Sequence, residues 1–239
     1  MVDAATAAKV GTALAGINGL YCGLAPEPAA EAYGVKPASF ELVEMIKSLG
    51  YSFVSSAILS ILVLNGMGLG MAMAWSTLPW ILSSLDGIWN GTNKKMGMPD
   101  FAPYLFLSVC AAAAYCGWTD TAMPLAAKLF AGWNGLNGAL FAIAPAKGAE
   151  SWGMKGDAKF NAMMKNFGYS LLSFAALLVS LVQGVDAPKA VGYSFAVMLV
   201  SLIDGLFVSK TFEDVSDDKM PAYIWMAIQS AVVGLTVVM

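Results

Sequence analysis

Eight apolar runs divide the sequence and limit what it can fold into. Each is about 16–20 residues long, and they cover 10–25, 48–65, 71–90, 101–117, 127–144, 166–183, 191–209 and 221–238. A helix of about 20 residues crosses the roughly 30 Å hydrocarbon core of a bilayer. Turn-prone stretches separate the runs, such as GMGLG at 66–70. The pattern predicts an all-α, polytopic membrane protein with eight transmembrane helices.

Composition agrees with a membrane environment. Hydrophobic residues make up 58% and charged residues 12% of the 239 residues. Soluble domains average about 45–50% and about 25%, respectively. A chain with so few charged residues cannot coat a water-soluble globule, whereas a bilayer requires apolar surface.

Segments in the first half recur in the second at an offset of 118–119 residues. The segment GINGLYCGLAPEPAAEAYGVK at 16–36 aligns with GLNGALFAIAPAKGAESWGMK at 135–155. KSLGYSFVSSAIL at 47–59 aligns with KNFGYSLLSFAAL at 165–177, and SLDG at 84–87 with LIDG at 202–205. A constant offset over such a distance indicates an internal duplication. We predict two tandem four-helix repeats, residues 1–120 and 121–239.

Four spans per repeat is an even number, so both repeats would enter the membrane from the same side. They would then be related by a pseudo-two-fold axis along the membrane normal. Ten of the 13 lysines fall in the loops after spans 1, 3, 5 and 7. The positive-inside rule places these loops on the cytoplasmic, stromal or matrix side and both termini opposite. The Ala-, Gly- and Met-rich, Arg-free composition suggests an organellar membrane, thylakoid or mitochondrial.

All basic residues are lysines, because the chain has no Arg and no His. This excludes His-ligated metals and haem, as well as bidentate guanidinium clamps. The net charge of −3 and the lack of a basic stripe argue against nucleic acid as a partner. No nucleophile–base motif is evident, so we expect no catalytic residues, no metal site and no enzymatic activity.

Two carboxylates within predicted spans are candidate functional residues, since intramembrane charges are costly and tend to be functional. Asp86 and Asp204 lie about one turn from the ends of spans 3 and 7. Lys47 and Lys165, at the start of spans 2 and 6, should lie at a similar depth. We therefore predict the pairs Lys47–Asp86 and Lys165–Asp204. We favour structural ties between helices; a proton or cation relay is the alternative.

Further polar residues repeat in both halves. Asn18 and Asn137 lie mid-span beside glycines, where small residues allow close helix packing and Asn can hydrogen-bond across. A ligand contact is the alternative. Tyr51 and Tyr169 follow the span lysines by one turn and form polar stripes with nearby serines. These stripes could satisfy inter-helix hydrogen bonds, which we favour, or line a cavity.

Aromatic residues and the longer loops indicate how the chain meets the membrane surface. Five tryptophans fall mostly near predicted span ends, as in an aromatic belt, although they could also stack on pigments; they are Trp75, Trp80, Trp89, Trp118 and Trp225. Before span 2, the apolar residues Phe40, Val43, Ile46 and Leu49 recur every three positions. This spacing predicts an amphipathic interfacial helix that runs into span 2.

The motif G-x-N-G…AP…A-A-E-A-Y-G at 16–34, followed by three more spans, resembles small four-helix membrane proteins of the DoxX-like and DUF4345-like kind. Their first helix similarly ends in a Pro and continues into a short aromatic-Gly segment. The resemblance implies a four-helix membrane fold and little about function. The tandem duplication departs from the single unit usual in that group.

Two functions fit these features. The first is a non-catalytic accessory or scaffold subunit of a larger membrane assembly, photosynthetic or respiratory. The second is a small-solute or ion transporter or channel with a passage between the repeats. Expected partners are membrane lipids and other membrane subunits or a second copy of the chain. Expected cofactors are lipids and, without histidine as a ligand, pigments.

Overall fold

The computed structural model describes residues 2–35, 38–216 and 218–238. These ranges form twelve α-helices and no strand: α1 (Ala4–Leu24), α2 (Pro26–Ala32), α3 (Phe40–Leu64), α4 (Leu69–Trp89), α5 (Thr92–Lys95), α6 (Phe101–Thr119), α7 (Met123–Ile143), α8 (Pro145–Ser151), α9 (Ala158–Val182), α10 (Ala187–Ile203), α11 (Thr211–Val215) and α12 (Met220–Val233). Helices α10 and α12 each continue into a π-helical turn, Asp204–Val208 and Gly234–Val238. The predicted all-α fold is confirmed. Lys36, one of the loop lysines, lies outside the described residues.

Five helices are long and apolar enough to cross a membrane. These are α3, α6 and α9, together with α10 and α12 taken with their π-helical turns, Ala187–Val208 and Met220–Val238. They give the chain the make-up of a multi-pass membrane protein. The other three predicted spans correspond to α1, α4 and α7, which have 21 residues each.

Four long helices begin at side chains that cap them. Asp3, Ser39, Asp157 and Asp186 each accept a hydrogen bond from the backbone N–H three residues later, at 2.7, 3.3, 2.9 and 3.2 Å. Such caps satisfy backbone donors that have no partner within the helix. The caps therefore set where α1, α3, α9 and α10 start.

The ends of α3 and α9 are set by glycine. Gly66 and Gly184 have φ angles of +83° and +79°, a left-handed conformation that glycine adopts without the Cβ clash. Both residues follow the last residues of their helices, at corresponding positions of the two aligned halves.

The loops after α1 and α7 contain short helices that were not predicted. Both α2 and α8 begin at a proline, Pro26 and Pro145, which suits the first turn of a helix. The predicted amphipathic segment forms the first turns of α3 and is continuous with it. Its buried face includes Leu42 and Met45 with Ile46, whereas Phe40 is exposed. The position of this segment at the membrane interface stays a prediction.

Helices α3 and α9 pack against each other at the centre of the molecule. Helix α1 runs along α3, and α7 runs along α9. Helix α4 packs between α3 and α6, while α10 packs between α9 and α12. The two halves therefore have corresponding neighbours around a central pair of helices.

Trp80 is a correction to the predicted aromatic belt. Its side chain is only 2% exposed and lies in the core of the protein. The ring centroid lies 4.7 Å from that of Phe174, 5.7 Å from Phe130 and 6.2 Å from Phe106. Edge-on aromatic contacts at these distances are favourable, so Trp80 joins α4 to α6, α7 and α9. Trp89, by contrast, is 91% exposed.

Candidate functional site

The candidate pair in the first half joins α3 to the last turn of α4. Lys47 Nζ lies 2.5 Å from Asp86 Oδ2. The other carboxylate oxygen of Asp86 accepts a hydrogen bond from Asn90 Nδ2 at 2.8 Å. Glu44 Oε2 lies 3.9 Å from the same ammonium group. Lys47 is thus held between two carboxylates, and Asp86 between two donors.

The corresponding pair in the second half joins α9 to the end of α10. Lys165 Nζ lies 2.5 Å from Asp204 Oδ2, and Tyr169 OH donates to the same oxygen at 3.4 Å. The side chains of this pair are 15% and 17% exposed, against 21% and 36% in the first pair. The structure therefore brings together both predicted lysine–aspartate pairs, the second in a drier environment.

The two mid-span asparagines have aromatic partners that were not predicted. Tyr33 OH donates to Asn18 Oδ1. Trp152 Nε1 donates to Asn137 Oδ1 at 3.3 Å, and Asn137 Nδ2 donates to the Trp133 carbonyl at 2.9 Å. Tyr33 and Trp152 occupy the same position of the repeated motif. These two aligned aromatic hydrogen-bond donors were the feature of the sequence that could have predicted the partners of the asparagines.

Glycines beside these asparagines bring helix backbones into contact. A Cβ added at Gly19 on α1 would lie 2.9 Å from the Gly50 carbonyl oxygen on α3. A Cβ added at Gly138 on α7 would lie 2.8 Å from the Gly168 carbonyl oxygen on α9. Distances this short leave no room for a side chain. These two interfaces therefore require glycine, as small-residue packing between membrane helices predicts.

The serines of the predicted polar stripes mostly bond to other helices. Ser170 Oγ donates to Ser52 Oγ at 3.0 Å across the α9–α3 contact. The hydroxyls of Ser173 and Ser194 are 2.7 Å apart. Ser55 Oγ is buried and has no hydrogen-bond partner within residues 2–35, 38–216 and 218–238. Tyr51 is half-buried and packs against the apolar core.

Two cavities lie between helices of the two halves. The first has a volume of about 190 Å³ and is lined by residues of α1, α3, α9, α10 and α12. Its polar lining consists mainly of hydroxyl and amide side chains: Thr12, Asn18, Tyr33, Ser56, Ser60, Asn166, Ser170, Ser173, Ser194, Ser201, Ser216 and Gln229. Ser170 and Ser173 thus serve both inter-helix bonding and the cavity wall.

The second cavity has a volume of about 140 Å³ and lies between α3, α4, α6, α7 and α9. Asn134 and Asn137 line it together with Trp80 and Trp152. Trp80 Nε1 and Asn134 Oδ1 are buried and have no hydrogen-bond partner in the described part of the chain. Asn137 therefore borders the second cavity as Asn18 borders the first.

The first cavity reaches the loop before α12, where Asp218 and Lys219 form part of its lining. Lys219 Nζ lies 2.8 Å from Glu213 Oε1. This hydrogen-bonded contact lowers the pKa of the Glu213 carboxyl and raises the pKa of the Lys219 ammonium. The Glu213 side chain is exposed and that of Lys219 partly so, and the pair lies at the loop end of the cavity.

Metal-ligating and redox groups are dispersed. Among the described residues, no group of three or more Cys, Asp or Glu side chains could hold a metal ion. Cys22, Cys110 and Cys116 are free thiols, and the first two are buried.

Compared with protein-family models, curated proteins and solved structures, the chain matches none of them.

Proposed function

We propose that this chain is a non-catalytic accessory or scaffold subunit of a larger membrane assembly. The observation that carries this proposal is the pairing of its candidate intramembrane carboxylates. Asp86 and Asp204 each lie 2.5 Å from a lysine ammonium on the neighbouring helix. A carboxylate held in this way fixes two helices against each other. A proton or cation relay would instead need a carboxylate free to exchange its partner.

The proposed architecture is eight transmembrane helices in two tandem repeats, residues 1–120 and 121–239, related by a pseudo-two-fold axis along the membrane normal. Helices α1, α4 and α7 have 21 residues each, a length of about 30 Å that suffices to cross a bilayer core. The corresponding lysine–aspartate pairs support the repeat. The bonds from Tyr33 to Asn18 and from Trp152 to Asn137 support it further.

The proposed orientation puts the lysine-rich loops on the cytoplasmic, stromal or matrix side and both termini opposite. A thylakoid or mitochondrial membrane, and a photosynthetic or respiratory assembly, are part of this proposal and rest on composition. A relationship to DoxX-like and DUF4345-like proteins is also part of this proposal, and it rests on the motif at 16–34.

The outer surface suits contacts with lipids and other membrane subunits or a second copy. Large apolar side chains are exposed on several helices, among them Leu24, Trp89, Leu136, Ile143 and Val208. In a membrane these side chains would face lipid tails or neighbouring helices. Lipid tails are as apolar as the side chains themselves, so their exposure at the protein surface carries no free-energy penalty there. Pigments that stack on exposed tryptophans, such as Trp89, are a further proposed class of ligand.

A small-solute or ion transporter remains the second candidate, because both cavities lie between the two halves and contain buried polar atoms without partners. Transport would need these cavities to connect across the membrane. The direct packing of α3 against α9, bonded through Ser52 and Ser170, stands against a passage along the centre.

Gentle extraction of the native protein tests the two functions against each other. An accessory subunit is expected to migrate well above the size of the 25.0 kDa chain with its detergent, and to carry a constant set of other subunits. An absorption spectrum of the same sample tests for pigment. The account is overturned if the protein migrates alone, is colourless and conducts ions in liposomes, with flux lost in Asp204→Asn. Asp100→Asn, an exposed residue without a side-chain cap bond, is the matched control.

A further inference from the structure

Among the residues that the structure describes, two buried polar atoms in the lining of the first cavity have no hydrogen-bond partner. They are Thr12 Oγ1 on α1 and Gln229 Oε1 on α12. Their residues are only 2% and 7% exposed, and both line the cavity. The two helices are in contact, since a Cβ added at Gly11 would lie 2.6 Å from a methyl group of Val232. A buried polar atom without a partner is costly, so each such atom calls for a ligand or a water.

Several other polar side chains around the cavity already have partners. Tyr33 donates to Asn18, and Ser201 donates to Asn166 at 3.0 Å. The hydroxyls of Ser173 and Ser194 bond to each other. The two buried atoms without partners belong to α1 and α12, and each lies near the middle of its helix.

The chemistry of the two atoms selects the group that would bind there. A glutamine carbonyl oxygen only accepts hydrogen bonds, whereas a threonine hydroxyl both donates and accepts. A hydroxyl group is complementary to both atoms, since it can donate to Gln229 Oε1 and can accept from Thr12 Oγ1. The charged residues of the lining, Asp218 and Lys219, lie at the loop end, and Lys219 is paired with Glu213. The described residues of the lining include no other charged side chain, which favours a neutral ligand.

Size and wall composition define the rest of the ligand. The wall around the polar pair is largely apolar, with Leu49, Phe53, Phe195 and Met198 among its residues. An engineered cavity of about 150 Å³ holds one benzene molecule. The first cavity, at about 190 Å³, has room for a hydrocarbon ring with a few additional carbons.

We propose that the first cavity is a binding site for a neutral alcohol of the lipid phase, a hydrocarbon ring or branched chain that carries one hydroxyl group. The hydroxyl bonds to Thr12 and Gln229, and the hydrocarbon packs against the aromatic wall. The site is a property of the packed helices and does not depend on whether the protein works inside an assembly.

A matched pair of probes tests the site. Thymol is a substituted benzene ring with a hydroxyl, and p-cymene is the same hydrocarbon without it. Both would be titrated into the detergent-solubilised full chain labelled with ¹³C at its methionine methyl groups. Met198 lines the first cavity and Met96 the second, so their resonances report on the two cavities separately. Each resonance would be assigned by its loss in Met198→Leu or Met96→Leu.

Thymol is expected to shift the Met198 resonance at a mole fraction in the micelle about tenfold below that of p-cymene, the effect of one or two net hydrogen bonds. In the double variant Thr12→Val and Gln229→Leu, the two probes should shift the Met198 resonance at equal mole fractions in the micelle. The variant should fold, because Thr12 Oγ1 and Gln229 Oε1 make no hydrogen bond among the described residues and both new side chains are close in size to the old ones. Thr119→Val, a threonine on α6 outside both cavity linings, is the control and should retain the tenfold difference.

Three results would overturn the proposal. The first is equal potency of thymol and p-cymene at Met198 in the unaltered protein. The second is a thymol preference that survives in the double variant. The third is no shift of Met198 with either probe, which would mean that water alone satisfies the polar pair.

Discussion

Ser170 Oγ donates a hydrogen bond of 3.0 Å to Ser52 Oγ, the residue at the same position of the aligned segment 118 residues earlier. In a two-fold arrangement, a residue contacts its own counterpart only at the axis. The proposed pseudo-two-fold axis therefore runs between these two side chains, along the contact of α3 with α9.

Paired cysteines at these positions test this contact. In a chain whose native Cys22, Cys110 and Cys116 are replaced by alanine, Ser52→Cys with Ser170→Cys should form an intramolecular disulfide on mild oxidation. The two hydroxyl oxygens are already close, and a disulfide needs Cβ atoms roughly 3.5–4.5 Å apart. Non-reducing gel mobility and intact mass would measure it. Ser108→Cys with Ser170→Cys is the control, and equal oxidation of both pairs would contradict the predicted contact.

The two lysine–aspartate pairs should differ in their contribution to stability. Asp86→Asn is expected to lower the free energy of unfolding in detergent by about 1 kcal/mol, as for a partly exposed pair. Asp204→Asn should cost more, about 2 kcal/mol, because this pair is less exposed and the substitution would leave the half-buried Lys165 without its counter-ion. Thermal or denaturant unfolding measures both. An unchanged stability in Asp204→Asn would contradict the structural role of this pair.

The close approach of α7 to α9 provides a matched pair of glycine substitutions. Gly138→Ala should destabilise the protein by about 1–3 kcal/mol, because the added methyl group would meet the Gly168 carbonyl oxygen at 2.8 Å. Gly132→Ala on the same helix meets no atom within 4 Å and should be neutral or slightly stabilising. Equal effects of the two substitutions on the unfolding midpoint would be inconsistent with the packing described.

The sequence predicted features that follow from local pattern and from the repeat. Helix positions follow from apolar run length, and the contacts of Lys47 with Asp86 and of Lys165 with Asp204 follow from equal depth on neighbouring helices. It is harder to predict which of the long helices are apolar enough to cross a membrane. Helices α1, α4 and α7 were predicted as spans, yet they are not among the five helices that satisfy both the length and the hydropathy expected of a span.

Other features depend on how the two halves pack, which no local pattern encodes. Trp80 was assigned to the membrane surface, but its ring fills a gap between Phe130 and Phe174 of the second half. The cavities have walls from both halves, so the unpartnered atoms of Thr12 and Gln229 could not be recognised in the sequence. These properties emerge only when helices distant in sequence are placed side by side.

The ion pair between Glu213 and Lys219 predicts a small pH dependence. The lysine lowers the pKa of the Glu213 carboxyl below its ordinary value of 4.5 in the folded protein. A depressed folded-state pKa stabilises the fold above the unfolded-state pKa, and the contribution is lost as pH falls through the folded-state value. Between pH of about 6 and about 3, the unfolding midpoint of the unaltered protein should fall more than that of Glu213→Gln. Parallel curves for the two proteins would contradict this prediction.

The central architectural claim, eight membrane-crossing helices in two parallel repeats, is tested most directly by mapping loops from each side of the membrane. Single cysteines would replace four exposed residues in the cysteine-free chain: Asn65, Lys94, Gln183 and Asp214. An impermeant maleimide would then be applied to sealed vesicles of each orientation. Eight spans predict that positions 65 and 183 label from one side, and positions 94 and 214 from the other. If only the five helices with the length and hydropathy of a span cross, positions 65 and 94 both lie between α3 and α6 and would label from the same side, which would contradict eight spans.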